Sequence, residues 1–237
     1  MKNTKRKHLK LCLLLLFMVL GCFAITNVRT TTVQASSRTF KSNGRTYMEK
    51  HNDNTLNTVL YQKVSGRYKQ VAKSSRYLIY RFSYGKKLYF SSADDEGTGI
   101  TCTYTKGKNE FKLERSKMVL TERSGRYAVG YITMSCDPSP SYLCCYDLAR
   151  KKMTKLGKGC DIKFIGNKIY YAKVCNMSTM QIIRRNANGS GKKVIKTVKA
   201  KKNYAIAYMW VDSPHKVRYY TYRKSGFDAW KLKTLRF

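Results

Sequence analysis

One stretch of the sequence, Cys160 to Lys202, constrains the fold more than any other. Asn188-Gly189 within it predicts a tight hairpin, and an isolated four-stranded sheet of about forty residues is the size of one β-propeller blade. Because such a sheet cannot bury both of its faces, the stretch requires neighbours of its own kind. Its four runs are rich in β-branched and aromatic residues and are separated by turn-forming residues, which is typical of strands: 161–165, 166–172, 180–190 and 192–198.

The rest of the chain repeats this rhythm, giving five units. One residue in each unit, placed in the third strand, recurs about every forty residues: Tyr61, Tyr104, Tyr146, Arg185 and Tyr222. The sequence therefore predicts an all-β protein, a β-propeller of about five four-stranded antiparallel blades. The alternative is a two-sheet β-sandwich in which the periodicity arises by chance.

The fourth unit also resembles a known group of repeats. Its Asn167-Lys-Ile-Tyr-Tyr-Ala, followed by Gln181-Ile-Ile-Arg-Arg-Asn-Ala-Asn-Gly-Ser, is similar to repeats of exported bacterial propellers of unknown function. Those repeats resemble the YWTD repeats of lipoprotein receptors and TolB-like propellers. The resemblance covers one unit well and the other four in rhythm only. It implies a propeller scaffold of a kind that usually binds rather than catalyses, and it supplies no ligand.

Residues 1–35 read as a signal peptide, which leaves 36–237 as the propeller domain. Lysines and one arginine precede an almost unbroken apolar run, and Val33-Gln34-Ala35 offers small residues for cleavage after Ala35. Val19-Leu20-Gly21-Cys22 resembles a lipoprotein box, so lipidation at Cys22 is the rival expectation. An uncleaved anchor is the third. All three predict an exported protein, either extracellular or at the cell surface.

The composition is strongly basic. Lys and Arg number 48 against 13 acidic residues, a formal net charge of +35. Residues 1–35 hold six of the basic residues and no acid, so 42 basic and 13 acidic residues remain and leave a charge of +29. The charge belongs to the domain itself and favours polyanionic partners.

The cysteines and histidines indicate no metal site. Beyond residue 35 there are six cysteines without a C-x-x-C spacing and two histidines, so zinc is poorly supported and no cofactor is predicted. The six cysteines are either disulfide-bonded or small buried side chains. Strand alternation places Cys144 and Cys145 on opposite faces.

Nothing in the sequence predicts catalysis. The chain has no G-x-S-x-G, P-loop or H-E-x-x-H motif, and its one acidic cluster, Asp94-Asp95-Glu96, reads as a solvated loop with calcium binding as the alternative. His51 and His215 are both expected in exposed turns. The sequence therefore predicts a protein that is not an enzyme, with no catalytic residue.

Clustered lysines are the best indication of function, and we expect them to bind anions. Candidate partners are teichoic acid, acidic glycans, nucleic acid, an anionic membrane surface or a protein. The first hypothesis is thus a non-enzymatic exported binding module. The alternatives are a carbohydrate-active or other hydrolytic propeller with a site at the channel mouth, and a membrane-anchored structural lipoprotein. The candidate anion-binding residues lie at the ends of the third and fourth units: Lys151, Lys152, Lys155, Lys192, Lys193, Lys196, Lys199, Lys201 and Lys202.

Overall fold

The computed structural model describes residues 36–52, 54–93, 99–133, 141–226 and 229–237. Within these ranges the chain forms eighteen β-strands, and no helix there could cross a membrane. The expected signal peptide with Cys22, the acidic cluster Asp94-Asp95-Glu96 and Cys136 lie outside the described residues.

The strands follow one another in antiparallel sheets in chain order. Sheet 1 contains β1 (Ser37–Ser42), β2 (Arg45–Asn52), β3 (Asn57–Val64) and β4 (Arg67–Ser74). Sheet 2 contains β5 (Ile79–Tyr84), β6 (Lys87–Ala93), β7 (Gly99–Thr105) and β8 (Lys112–Ser116). Sheet 3 contains β9 (Val119–Ser124), β10 (Tyr127–Thr133), β11 (Ser141–Asp147) and the first half of β12 (Lys152–Ile165). Sheet 4 contains the second half of β12, β13 (Lys168–Asn176), β14 (Thr179–Asn186) and β15 (Lys193–Lys199). Sheet 5 contains β16 (Tyr204–Ser213), β17 (Lys216–Arg223) and β18 (Lys231–Arg236).

One long strand, β12, is shared by two sheets. It pairs with β11 up to Gly159 and with β13 from Cys160 onward, so sheets 3 and 4 form one continuous seven-stranded order. Gly157 has a φ of +99°, which lets the strand bend where it changes partner. A Cβ at Gly159 would lie 2.5 Å from the carbonyl oxygen of Ala172, so the strands approach closely there. Because each half of β12 pairs with a different neighbour, sheets 3 and 4 remain two successive blades.

The predicted all-β propeller of four-stranded antiparallel blades is confirmed, with three strands described in the fifth blade. The register of the fifth unit is corrected. Tyr222 lies in β17, the second strand of its sheet, whereas the other four marker residues lie in third strands. The reason is that Lys216-Val-Arg-Tyr-Tyr repeats the second-strand pattern of Lys168-Ile-Tyr-Tyr, and alternation alone does not distinguish a second strand from a third.

The first strands of sheets 2 to 5 share an irregularity. In each, the pairing with the second strand shifts by one residue, which is a β-bulge. The extra residues include Arg81, Thr121 and Tyr208. Bulges increase strand twist and re-aim side chains, so each first strand can pack beside the first strand of the next sheet.

Apolar clusters bury the faces of neighbouring sheets and join them in chain order. None of these inter-sheet clusters connects sheet 5 back to sheet 1 within the described part of the chain. Each cluster is illustrated by one residue from either sheet: Leu60 with Phe90 (sheets 1 and 2), Tyr89 with Leu120 (2 and 3), Leu143 with Phe164 (3 and 4), and Ile182 with Val211 (4 and 5).

Buried hydroxyl groups also fasten each sheet to the segment that enters the next one. The Oγ1 atom of Thr58 accepts a hydrogen bond from the backbone N–H of Leu78 at 2.7 Å. Thr101 Oγ1 accepts from the N–H of Leu120 at 3.1 Å and donates to the carbonyl of Met118 at 2.8 Å. Because Thr58 and Thr101 are fully buried, water cannot replace these bonds.

We predict that Thr58→Val destabilises the protein. Valine keeps the shape but leaves the buried N–H of Leu78 without its acceptor, which costs about 1–3 kcal/mol. The free energy of unfolding in urea measures this loss. Thr197→Val, at an exposed position on β15, is the matched control and should change stability by less than about 0.5 kcal/mol. Equal effects of the two substitutions would contradict this role for Thr58.

The five described cysteines are free thiols. Cys102, Cys144 and Cys145 are small buried side chains, as one of the two expectations has it, whereas Cys160 is partly buried and Cys175 is exposed. Cys144 and Cys145 pack into clusters on opposite sides of β11, as strand alternation predicts. Burial, and secondarily the neighbouring thiol, raises the pKa of Cys144 to about 12. Burial likewise raises the pKa of Cys145 to about 12, assisted by the charge of Asp147. These thiols stay protonated and unreactive in the folded protein at neutral pH.

These raised thiol pKa values predict a loss of stability in alkali. An unfolded thiol releases its proton near pH 8.5, so above that pH the folded state binds more protons than the unfolded state. The free energy of unfolding should therefore fall from about pH 8.5 toward pH 12, by up to about 1.4 kcal/mol per pH unit for each thiol. Urea unfolding between pH 8 and pH 10.5 tests this. Cys144→Ala should make this decline less steep, whereas Cys175→Ala, at an exposed position, should leave it unchanged.

Candidate basic groove between the fourth and fifth sheets

All nine predicted lysines are exposed, and five of them lie on the fourth strands of sheets 3 and 4, which we call outer strands. Lys152 and Lys155 are on the first half of β12, and the fourth-unit lysines are on or beside β15. The structure does not gather them into one patch. Lys152 lies near the turns that join third and fourth strands, whereas Lys199 and Lys201 lie at the opposite end of β15.

Lys199 and Lys201 line a groove of about 370 Å³ between sheets 4 and 5, which we call the basic groove. Four of its lining side chains are lysines, and no acidic side chain is among the described residues that line it. The lining residues are Lys199, Ala200, Lys201, Tyr204, Tyr219, Thr221, Lys231 and Lys233.

Strand alternation explains why two lysines from sheet 5 join the groove. Lys231 and Lys233 are two positions apart on β18, so both point to the side that faces sheet 4. Their partners on β17 are Thr221 and Tyr219, which line the same groove. The sequence reading missed both lysines. The signal that could have found them is the alternation Lys231-Leu-Lys233, once the fifth unit is placed in its correct register.

The electrostatic potential in the groove is positive, because its described charged lining residues are all lysines. A hydrogen bond from Arg223, and then the charge of Arg223, hold the pKa of Tyr204 below its ordinary value. Lys231 and Lys201 add smaller contributions in the same direction. A phenol whose ionised form is favoured in this way reports an environment that favours negative charge.

The other candidate lysines have weaker settings. Lys151 Nζ lies 4.0 Å from Glu114, which also binds Lys87 at 3.0 Å, so part of this charge is compensated. Lys152 lines a hollow of about 170 Å³ between sheets 3 and 4. That hollow also contains Arg126, whose charge is paired with Asp147 at 3.0 Å. Lys196 lies 5.8 Å from the ring centroid of Phe237.

Three carboxylates bind the first strand of the sheet that follows. Glu49 accepts a hydrogen bond from the N–H of Tyr80 at 2.8 Å, and Glu122 accepts one from the N–H of Phe164 at 2.8 Å. Asp161 accepts one from the N–H of Val211 at 2.5 Å. Each thus satisfies a backbone donor of its neighbour. Among the described residues, no group of three or more His, Cys, Asp or Glu side chains could hold a metal ion.

The expectation of an exposed turn is wrong for His51. This residue lies in β2, is 5% exposed, and stacks on Tyr77 with ring centroids 4.3 Å apart. Its imidazole lies 3.7 Å from Glu49 and 3.2 Å from the hydroxyl of Thr58, because strand alternation turns it toward the core. The hydroxyl, imidazole and carboxylate are arranged like a nucleophile, its base and an orienting acid. Thr58 is fully buried, however, and its hydroxyl oxygen already accepts a hydrogen bond from the N–H of Leu78, so it is not placed to react with a substrate. His215 does lie in an exposed turn.

No protein-family model matches the sequence. No curated protein matches it either.

Solved structures are similar to this chain in fold. One is a prolyl endopeptidase from work on inter-domain dynamics in catalysis and specificity. It is 12% identical, with 86% of this chain and 34% of that chain covered, at a TM-score of 0.57. Prolyl oligopeptidase B from Galerina marginata, bound to a 35mer hydrolysis and macrocyclization substrate, is 13% identical over 80% of this chain and 31% of its own, at a TM-score of 0.53. A TolB protein from Agrobacterium tumefaciens is 14% identical over 86% of this chain and 78% of its own, at a TM-score of 0.44.

At these identities the similarity establishes the fold alone, and the chain has the fold of a β-propeller. TolB proteins are among the structures it resembles. The chain spans about a third of the length of the prolyl peptidases that it matches.

Proposed function

We propose that this protein is an exported, non-enzymatic β-propeller that binds an anionic polymer (a teichoic acid, an acidic glycan or a nucleic acid) in the basic groove. The observation that carries the proposal is the meeting of four lysines, Lys199, Lys201, Lys231 and Lys233, in one groove without a compensating acid among its described lining residues. Export is supported by the basic start and long apolar run of residues 1–35.

The chemistry of the groove suits phosphate, sulfate or carboxylate groups. Lysine ammonium groups act as mobile point charges, while the hydroxyl groups of Tyr204 and Tyr219 can donate hydrogen bonds to the same anion. A volume of about 370 Å³ is in the range of small-molecule sites, so the groove can hold one or two repeat units of a polymer. Binding would release counterions and weaken steeply with salt.

The proposal that the protein is not an enzyme is supported by the hydrogen bonds of three of its carboxylates. A glycosidase needs two carboxyl groups on either side of the bond it cleaves. Glu49, Glu122 and Asp161 instead each bind a backbone N–H of the next sheet. A glycosidase site built from these three carboxylates would have to release at least one of these bonds.

We predict that Lys231→Gln combined with Lys233→Gln weakens polyanion binding. A poly(glycerol phosphate) teichoic acid and a sulfated glycan serve as labelled probes, with binding measured by fluorescence anisotropy over a salt series. Loss of two phosphate contacts should reduce the slope of log affinity against log salt by about 1.5 to 2. Both substitutions are at exposed positions, so folding should be unaffected.

The control is Lys63→Gln combined with Lys69→Gln, which removes the same charge from exposed positions on sheet 1. If the charge of the whole protein drives binding, the two double variants will weaken it equally, and the groove will lose its special role. Absent or salt-insensitive binding of both probes and of a single-stranded oligonucleotide by the unsubstituted protein would reject the proposed function.

A further inference from the structure

The face of sheet 5 that points away from sheet 4 carries a cluster of aromatic rings. Trp210 lies 6.3 Å from Tyr208 and 5.7 Å from Tyr220, measured between ring centroids. Trp230 lies 6.1 Å from both Tyr208 and Tyr220 and stacks on Tyr222 at 4.8 Å. We call these five side chains the aromatic face.

Two rings of the aromatic face are held outward. Tyr208 is the extra residue of the β16 bulge, with a φ of +42°, and 44% of it is exposed. Trp230 is also 44% exposed. Beneath the rings, Ala205 and Ala207 are buried, so small side chains provide the floor on which the rings rest. A positive φ is uncommon for a tyrosine and turns its ring to the surface.

The aromatic face is not built like the faces that join neighbouring sheets. The position two residues after the first residue of the second strand is buried and apolar in sheets 1 to 4, where it packs against the following sheet. In sheet 5 that position is Arg218. The residues at this position in the first four sheets are Tyr47, Tyr89, Val129 and Tyr170.

Arg218 is part of a charged pair within the face. It binds Asp212 with two hydrogen bonds of 2.7 and 2.8 Å and lies 5.8 Å from the ring of Trp210. Hydrogen bonds from Arg218 hold the pKa of Asp212 below its ordinary value, so the pair stays charged. A further propeller sheet or a second copy packed on this face would have to bury that pair, which carries a large desolvation penalty.

We propose that the aromatic face stacks the bases of single-stranded nucleic acid whose phosphates bind the basic groove. Proteins that bind single strands combine a cationic groove for the backbone with exposed aromatic rings for the bases, and arginine contributes cation–π contacts. The inference rests on the proposed function, because it names the class of polyanion that the groove takes. Glycerol-phosphate polymers and lipid headgroups have no planar ring to stack.

The two surfaces are adjacent along the chain and in the sheet. Trp230 directly precedes Lys231, and β18 is the outermost described strand of sheet 5. The lysines of β18 face sheet 4, while the rings lie on the other side of sheet 5. A single strand of nucleic acid that crosses the edge at β18 would therefore contact both surfaces.

Tryptophan fluorescence tests the inference directly, because the only two tryptophans of the chain, Trp210 and Trp230, both belong to the aromatic face. The probes are an oligothymidylate, an abasic strand with the same number of phosphates, and a neutral oligosaccharide. We expect the oligothymidylate to quench the emission and to bind at least about fivefold more tightly than the abasic strand.

Two exposed substitutions, Tyr208→Asn and Trp230→Leu, should together lower the affinity for labelled oligothymidylate to that for the abasic strand. Asparagine tolerates the positive φ at position 208. Tyr68→Ser, at a position 38% exposed on sheet 1, is the control and should change nothing.

The outcomes separate the two proposals. Equal binding of the oligothymidylate and the abasic strand without quenching overturns the proposal that bases stack on the aromatic face, and it leaves anion binding in the groove supported. Quenching by oligothymidylate without any binding of the abasic strand supports the aromatic face and overturns the groove. Quenching by the neutral oligosaccharide instead of the oligonucleotide, or a concentration-dependent spectral change of the protein alone, assigns the face to a glycan or a second copy and overturns the inference.

Discussion

Each sheet of this protein is too small to hide its own faces, and that constraint determines the rest of the structure. Only a neighbouring sheet can cover them, so apolar clusters form between sheets in chain order. Packing alone would leave backbone donors of the entering strands unpaired. The side chains of Thr58, Thr101, Glu49 and Glu122 provide acceptors for these donors. Adjacent sheets are thus held by buried apolar surface and by a few buried hydrogen bonds whose loss would be costly.

The same requirement leaves the surface basic. Glu49, Glu122 and Asp161 are committed to backbone N–H groups, and Asp147 and Asp212 are committed to arginines. The lysines outnumber the remaining acids on the outer strands, so grooves between sheets are positive unless an acid lines them. The hollow between sheets 3 and 4 contains such an acid, Asp147, and the basic groove between sheets 4 and 5 has none among its described lining residues.

The sequence predicts strand bounds well where turn-forming residues separate the strands. The fourth unit folds close to its expected bounds because Gly166 and Asn188-Gly189 specify its hairpins. The fifth unit has Pro214-His215 at its first turn, and its similar second and third strands left the register open, so Lys231 and Lys233 were missed. His51 was misplaced because polar neighbours in sequence say little about a side chain that alternation turns inward. Hydrogen bonds between sheets join residues 15 to 50 positions apart and have no local signal.

Lysines on outer strands also have a simpler explanation, since charged edge strands prevent sheets from pairing with other chains. That role accounts for lysines on β12 and β15 pointing to either side. It does not require that Lys231 and Lys233 both face sheet 4, nor that Lys199 and Lys201 meet them from the opposite wall. Edge protection would also be weakened, not strengthened, by half-exposed aromatic rings such as Tyr208 and Trp230 on the same sheet. The concentration of charge on one side of sheet 5 and of rings on the other therefore supports the proposed binding, whereas protection of an edge would require neither.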